Sequence, residues 1–277
     1  MKQHALITGA NTGIGRITAL ELARQGVHLT LAARSRERTQ SVIAEVAAIN
    51  PRVRVRFEPI ALDNLEDVRA CAQRVLARGE ALDLLINNAG LAGARGATRE
   101  GFEMAFGVNH LGHFQLTLLL LEHLKAQPSA RVVHVASRAH WMARSIPWER
   151  LRSPTRSISG IEEYSVSKLC NILFNRALAR RLAGSRVSSF ALHPGVVATE
   201  IWRTVPAVLR PLLRLRPMLS PEEGARTTLH CATRADPSES GLYFAECRPA
   251  RTSPLASDDT LAERLWRFSM SACGGSS

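Results

Sequence analysis

Short apolar runs alternate with longer segments of helical spacing along this 277-residue chain, and this alternation constrains the fold more than any other feature. The runs occupy residues 4–8, 27–32, 53–57, 82–86, 131–136, 186–192 and, more weakly, 242–244. The segments at 13–24, 36–49, 65–78, 99–125 and 161–182 carry apolar residues three and four positions apart, as one face of a helix does. Such an alternation favours right-handed crossovers and a sheet covered on both faces. We therefore predict a single doubly wound α/β domain with about seven parallel strands.

The composition fits a cytoplasmic protein, which is the location we expect. No secretion signal precedes the first apolar run, and the longest apolar stretch falls well short of the roughly 18 residues that suggest a membrane span. The five cysteines are scattered without a Cys-x-x-Cys pair, as expected for reduced thiols, and no metal site is predicted. The net charge of +12 is spread along the whole chain. We therefore expect no nucleic-acid partner, while a peripheral contact with an anionic membrane stays open.

A glycine-rich turn follows the first apolar run and leads directly into a helical segment. Its glycines, in the spacing Gly-x-x-x-Gly-x-Gly, let the backbone pass close to a pyrophosphate, which the helix N-terminus then stabilises. The turn therefore predicts a dinucleotide site in a Rossmann domain. The contacts that we expect from it are Gly9, Asn11, Thr12, Gly13, Ile14 and Gly15.

Arg34 stands where the second apolar run ends. A site for NAD carries an acidic residue about 20 positions after the glycines, which accepts hydrogen bonds from the ribose hydroxyls. An arginine there can instead grip a 2′-phosphate with two parallel hydrogen bonds. We therefore predict NADP(H) as the cofactor, with Arg16 as a further basic group nearby. The alternative is that Arg34 is one more surface arginine in an arginine-rich chain.

Tyr164 and Lys168 are four residues apart at the start of a helical segment, which places both side chains on one face. The chain contains two tyrosines and three lysines, so this pair would arise by chance only about 0.02 times. A phenol with a pKa near 10 transfers protons poorly at neutral pH unless a neighbouring positive charge stabilises the phenolate. The pair therefore predicts carbonyl–alcohol chemistry, in which Tyr164 donates or accepts the proton and Lys168 supports it and also binds the cofactor.

Ser137 follows the fifth apolar run and should lie at the carboxyl end of the sheet, where such folds bind substrates. We predict that its hydroxyl holds and polarises the substrate oxygen. A serine at a strand end is, taken alone, more often a helix cap than a catalytic residue.

These motifs together resemble the short-chain dehydrogenase/reductase family, and the resemblance extends from Thr8 to at least Phe244. It implies a nucleotide-binding half over about residues 1–130 and a catalytic and substrate half over about 131–270 of one domain that spans residues 1–277. It also implies that Asn109 completes a catalytic set with Ser137, Tyr164 and Lys168. The further cofactor contacts that it implies are Asp63, Asn87, Ala89, Gly90, Pro194, Gly195, Val197 and Thr199.

Several segments are most similar to the retinol dehydrogenase-related branch, among them 108–114, 167–174 and 241–244. That resemblance implies reduction of apolar aldehydes or ketones with NADPH. Two alternatives stay open: an NAD-linked dehydrogenase for a polar alcohol, and a non-catalytic protein that senses the cofactor. A homo-oligomer is possible, but neither the oligomeric state nor the substrate can be predicted.

Residues 201–219 contain three prolines together with tryptophan, valine, leucine and methionine. Prolines exclude one uninterrupted helix, and the apolar side chains need a cover. We expect a lid that closes over an apolar substrate, although a permanently packed helical hairpin or a subunit interface would satisfy the same pattern.

Overall fold

In the computed structural model, residues 3–195 and 219–274 are described. Within these ranges one sheet contains eight strands in the order β3-β2-β1-β4-β5-β6-β7-β8. All neighbouring strands are parallel to each other, except that β8 is antiparallel to β7. The strands are β1 His4–Thr8, β2 His28–Ala33, β3 Val55–Pro59, β4 Leu84–Asn87, β5 Ala130–Val135, β6 Val187–His193, β7 Tyr243–Ala245 and β8 Arg248–Pro249. The predicted doubly wound fold is confirmed, with one short antiparallel strand added.

Helices cover both faces of the sheet because side chains of successive strand residues alternate between the faces. One layer contains α1 Gly13–Arg24, α2 Arg36–Ile49 and α7 Pro221–Thr233, packed over strand residues such as Ile7 and Leu31. The opposite layer contains α3 Leu65–Ala77, α5 Gly112–Lys125 and α6 Ile161–Arg181, packed over Leu6 and Ala32. The last helix, α8 Asp259–Ala272, lies against α6. None of the helices in the described ranges combines the length and the apolar character that a membrane span requires.

The predicted helix over 99–125 begins later than expected and is interrupted. Gly101 adopts a φ of +82° in the turn before it, so the helix begins only with the short α4, Met104–Phe106. One π-helical turn, Gly107–Leu111, then joins α4 to α5. Such π turns are frequent at functional sites.

Two helices that the periodicity analysis did not identify complete the fold. Helix α7 begins with a capping box in which Ser220 and Glu223 satisfy each other's backbone N–H groups, a signature that is visible in the sequence. Helix α8 packs Trp266 against Phe114 and Phe174, at ring-centroid distances of 5.1 and 5.9 Å. The apolar face of α8 therefore extends the core on the α6 side of the sheet.

The strand order reverses at β1, which pairs with β2 on one side and with β4 on the other. The connections that leave the carboxyl ends of β1 and β4 run to opposite faces of the sheet. A crevice opens at such a point in doubly wound folds, and ligands bind there. The residues that end β1 and β4 are therefore the ones to examine for a site.

A buried carboxylate holds the outer edge of this sheet to α3. Glu58 on β3 is fully buried and accepts hydrogen bonds from Arg74, at 2.5 Å, and from Arg78. We expect Glu58→Gln to lower the free energy of unfolding by about 1.5 to 3 kcal/mol, because it removes the charge from a buried acceptor of hydrogen bonds from two partly exposed arginines. The exposed Glu122, which pairs with Lys125, provides the control, and Glu122→Gln should change stability by less than about 0.5 kcal/mol. Urea denaturation compares the two variants, and equal losses would contradict this assignment.

Candidate active site

The glycine turn after β1 leaves no room for a side chain at Gly9 or Gly15. A Cβ at Gly9, whose φ is +66°, would lie 2.9 Å from the Cα of Ala89, and a Cβ at Gly15 would lie 2.4 Å from Asn88 Nδ2. Helix α1 begins here with Thr12 as its N-cap, which makes no side-chain cap hydrogen bond, and its first turn contains no acidic residue. N–H groups at a helix start without a capping side chain favour an anion. The turn therefore fits the pyrophosphate of a dinucleotide.

Thr8 joins this turn to the end of β4. Its Oγ1 accepts hydrogen bonds from the backbone N–H groups of Asn88, at 2.9 Å, and Ala89, at 3.0 Å. The side chain of Asn88 donates in return to the carbonyl oxygen of Thr8 at 2.7 Å. The crevice wall at the carboxyl ends of β1 and β4 is thus one hydrogen-bonded unit.

The side chain of Asn87 faces away from the crevice, and its contact with the cofactor stays a prediction. Its side chain is 2% exposed, and its Nδ2 donates to Thr117 Oγ1 at 2.9 Å on α5. The amide therefore ties β4 to α5 beneath the crevice, because it points into the layer between sheet and helix. Ala89 and Gly90 lie in the turn itself, where Ala89 is half-buried and Gly90 is exposed.

Arg34 follows β2 at the same edge of the sheet and is exposed. The N–H of Gly9 donates to the carbonyl oxygen of Ala32 at 2.8 Å, which holds the end of β2 beside the glycine turn. Arg16 is already engaged, since its Nε donates to Glu45 on α2 at 3.1 Å. Arg16 is thus paired with Glu45 in the cofactor-free protein, and its contribution to phosphate binding stays a prediction.

Tyr164, Ser137 and Lys168 meet where β5 ends. The Tyr164 phenol, in the first turn of α6, is 4% exposed and hydrogen-bonds to the side chain of Ser137. Ser137 also caps the 3-10 turn that follows β5 by accepting from the N–H of Ala139 at 3.1 Å. Its hydroxyl therefore acts as a cap and also contacts the tyrosine, while its contact with the substrate oxygen stays a prediction.

Lys168 lies one helical turn below Tyr164, with its Nζ 5.6 Å from the centre of the tyrosine ring. The ammonium donates to the carbonyl oxygen of Val135 at 2.8 Å and is buried. Burial lowers the pKa of Lys168 to about 7. Burial also raises the pKa of the Tyr164 phenol, while the hydrogen bond with Ser137 lowers it. Burial thus moves the pKa of Lys168 toward neutral pH, as in many proton-transfer sites, and the pKa of Tyr164 away from it.

Asn109 is fully buried in the π-helical turn and links the crevice to α6. Its Oδ1 accepts from the N–H of Leu91, and its Nδ2 donates to the Leu91 carbonyl oxygen and to Ser167 Oγ, each at 2.9 Å. Ser167 in turn donates to the carbonyl oxygen of Tyr164 at 2.7 Å. The structure thus brings Asn109 together with the other three predicted catalytic residues.

The remaining predicted contacts are distributed around this edge. Asp63 is half-buried between β3 and α3, and Pro194 and Gly195 follow β6. Val197, Thr199 and residues 201–218 of the expected lid lie outside the described residues.

Two further residues at this edge of the sheet were not predicted as site residues from the sequence. They are Thr8 and His113, which lie within the matched motifs but are connected only in the tertiary structure. His113 is buried, and so is the neighbouring His110.

The chain matches the model of the short chain dehydrogenase family over residues 3–147. Among curated proteins it is 44% identical to mouse retinol dehydrogenase 12, over 97% of this chain and 85% of that protein. It is 41% identical to human retinol dehydrogenase 11, with the same coverage of both chains. It is also 43% identical to dehydrogenase/reductase SDR family member 13 of cattle, over 98% of this chain and 73% of the relative.

Solved structures agree with these relatives. An uncharacterised protein from Mycobacterium paratuberculosis, 34% identical, superposes with a TM-score of 0.79 over 99% of this chain and 94% of that chain. An alcohol dehydrogenase from Thermococcus sibiricus, complexed with 5-hydroxy-NADP and 26% identical, superposes with a TM-score of 0.63 over 83% of this chain and 89% of that chain. The chain belongs to the short-chain dehydrogenase/reductase family, in its retinol dehydrogenase-related branch, and is an oxidoreductase that acts on a carbonyl or alcohol group.

Proposed function

We propose that this protein is an NADP(H)-dependent oxidoreductase that interconverts an apolar aldehyde or ketone and the corresponding alcohol. The observation that carries the proposal is the hydrogen-bonded pair of Tyr164 and Ser137, with Lys168 beside it, at the carboxyl edge of the sheet. The cofactor, when bound, supplies or accepts the hydride. The protein supplies the binding crevice and the proton.

Each catalytic side chain has a role that follows from its position. Ser137 donates a hydrogen bond to the substrate oxygen, and Tyr164 gives that oxygen its proton in reduction and removes it in oxidation. Lys168 stabilises the phenolate that remains, since its buried charge acts in a medium of low dielectric constant. Asn109 holds α6 against the crevice through Ser167 and Leu91.

Arg34 supports the preference for NADP(H). It is exposed at the end of β2, where an NAD-specific site would carry a carboxylate, and a guanidinium pairs well with a phosphate. We expect NADPH to bind at least about tenfold more tightly than NADH, and Arg34→Ala to remove most of this difference. Titration of both cofactors by tryptophan fluorescence measures the preference.

Arg52 provides a charge-matched control for that titration. It is exposed in the segment before β3, at the opposite end of the strands, so Arg52→Ala removes the same charge away from the crevice. Its cofactor preference should equal that of the wild type. Equal affinities of the wild type for both cofactors, or an unchanged preference in Arg34→Ala, would refute the assignment of NADP(H).

Two observations support an apolar substrate. The first is the similarity to proteins that are named retinol dehydrogenases. The second is the pair Trp141 and Met142, which are 52% and 56% exposed in the turn that begins at Ser137. A screen of NADPH oxidation over aldehydes and ketones graded by size and polarity tests the substrate class. Turnover that increases with polarity would contradict it.

A cytoplasmic location also belongs to this proposal. All five cysteines are free thiols, which suits a reducing compartment. A peripheral contact with an anionic membrane would bring the protein to an apolar substrate, and the net charge of +12 favours such a contact. Binding to vesicles with and without anionic lipid distinguishes an electrostatic contact from none.

A further inference from the structure

His113 is a buried imidazole that has one hydrogen-bond partner on each ring nitrogen. It lies one turn after Asn109, at the start of α5, and is 2% exposed. Its Nδ1 lies 3.1 Å from the carbonyl oxygen of Asn109, and its Nε2 lies 2.9 Å from Thr8 Oγ1. The ring therefore bridges the residue that organises the crevice wall and a residue of the catalytic set.

The two partners determine the tautomer of this imidazole. A carbonyl oxygen only accepts hydrogen bonds, so Nδ1 of His113 carries the proton and donates to Asn109. In the neutral ring Nε2 then has no proton and accepts from the hydroxyl of Thr8. The neutral form is expected here, since burial lowers the pKa of His113 to about 4 and the ammonium of Lys168 also acts to lower it.

In this tautomer, each hydrogen bond donates in the same direction, from the crevice wall toward α6. The N–H groups of Asn88 and Ala89 donate to Thr8, Thr8 donates to His113, and His113 donates to Asn109. The carbonyl oxygen of Ile86 is a second acceptor for the Thr8 hydroxyl at 3.4 Å, and His113 Nε2 at 2.9 Å is the nearer one. Reversing the His113 tautomer would place two acceptors, Nδ1 and the Asn109 carbonyl oxygen, 3.1 Å apart, which is costly. The chain connects β1, the turn after β4 and the π-helical turn.

We propose that His113 is a positioning residue that holds the crevice wall and Asn109 at a fixed distance from each other. One ring nitrogen then supports cofactor binding and the other supports turnover. The Nε2 contact keeps Thr8 and the turn after β4 in place for the cofactor. The Nδ1 contact keeps Asn109, and through Ser167 the helix that carries Tyr164, in place for turnover. This inference rests on the proposed function for its turnover readout.

Two substitutions separate the two contacts. Asparagine places an amide nitrogen near the position of Nδ1, so His113→Asn retains the donor to Asn109 and loses the contact with Thr8. Glutamine reaches the position of Nε2, so His113→Gln retains an acceptor for Thr8 and loses the donor. We expect His113→Asn to weaken NADPH binding about fivefold or more with kcat nearly unchanged, and His113→Gln to lower kcat about fivefold or more with NADPH affinity nearly unchanged.

His110 is the matched control. It is a buried histidine of the preceding turn, and its Nε2 contacts Ser269 on α8 at 2.8 Å, away from the crevice. His110→Gln should lower thermal stability and leave NADPH affinity and kcat unchanged. If both His113 variants behave like His110→Gln, or lose affinity and turnover equally, the separate roles of the two nitrogens are disproved.

Nitrogen-15 NMR of the His113 imidazole tests the assignment without any substrate. A neutral Nδ1–H tautomer at pH 7 is expected, and a neutral Nε2–H tautomer would overturn the inference. If the wild type reduces no carbonyl compound, the proposed function fails. The tautomer and the NADPH affinity of His113→Asn then still decide whether His113 holds the crevice wall, and wild-type affinity in that variant would refute it.

Discussion

Tyr164→Phe is expected to reduce kcat by about 10²- to 10⁴-fold while NADPH affinity stays close to that of the wild type. The substitution removes only the hydroxyl, which is the proposed proton donor and the partner of Ser137. The aromatic ring stays buried in the first turn of α6, so the helix and the crevice should be unaffected. Single-turnover reduction of an accepted carbonyl compound, with NADPH titrated in parallel, measures the two quantities separately.

Tyr243 provides a closely matched control because it is the only other tyrosine in the chain. Its ring is also buried, and its hydroxyl has no hydrogen-bond partner in the described part of the structure. Tyr243→Phe should therefore retain kcat within about twofold, since no hydrogen bond is lost. A Tyr164→Phe variant that keeps more than about a tenth of wild-type kcat, a loss below 1.4 kcal/mol, would show that Tyr164 is not the acid.

Lys168→Met is expected to reduce kcat by a similar factor and also to weaken NADPH binding about tenfold or more. The substitution removes the buried ammonium beside Tyr164, and this ammonium is proposed to stabilise the phenolate and to bind the cofactor. Lys168→Arg should restore little activity, because a planar guanidinium does not fit the space of an ammonium that donates to Val135. Full recovery in the arginine variant would show that charge alone is required.

The same lysine should affect stability in a defined pH range in the cofactor-free protein. Its pKa in the folded state is about 7 and the ordinary value is 10.5, so between these limits the unfolded chain binds more protons than the folded one. The destabilisation due to the buried charge is fully present below pH 7 and is lost as the pH rises through that range. The unfolding free energy of the wild type minus that of Lys168→Met should therefore increase from pH 7 to 10, by up to about 1.4 kcal/mol per pH unit. A difference that does not change with pH would mean that the lysine is not desolvated.

Local patterns were sufficient for the fold and for the core of the candidate site. The alternation of short apolar runs with segments of helical spacing identified β1, α1 and α2 with nearly their observed limits. Hydrophobic spacing reports directly which face of an element is buried. The glycine turn and the Tyr164–Lys168 pair depend on spacings within a single loop and a single helical turn. Such short-range geometry is determined by the backbone and does not require knowledge of the neighbours.

Longer-range features required the tertiary structure. Arg16 and Arg34 are both arginines near the glycine turn, yet only the packing of α1 against α2 shows that Glu45 neutralises Arg16. The side chain of Asn87 points toward α5, which its position in the motif did not indicate. Ion pairing and side-chain direction depend on which elements meet, and elements that are distant in sequence meet only after folding.

The sequence by itself determined the fold class and the family and identified the candidate catalytic residues, because these follow from periodicity and from motifs with fixed spacing. The tertiary structure decided how those residues are held. The π-helical turn buries Asn109 against Leu91 and Ser167, and His113 reaches Thr8 across 105 positions of sequence. A hydrogen bond between such distant residues leaves no periodic signal in the chain, since it depends on the packing of α5 against the sheet.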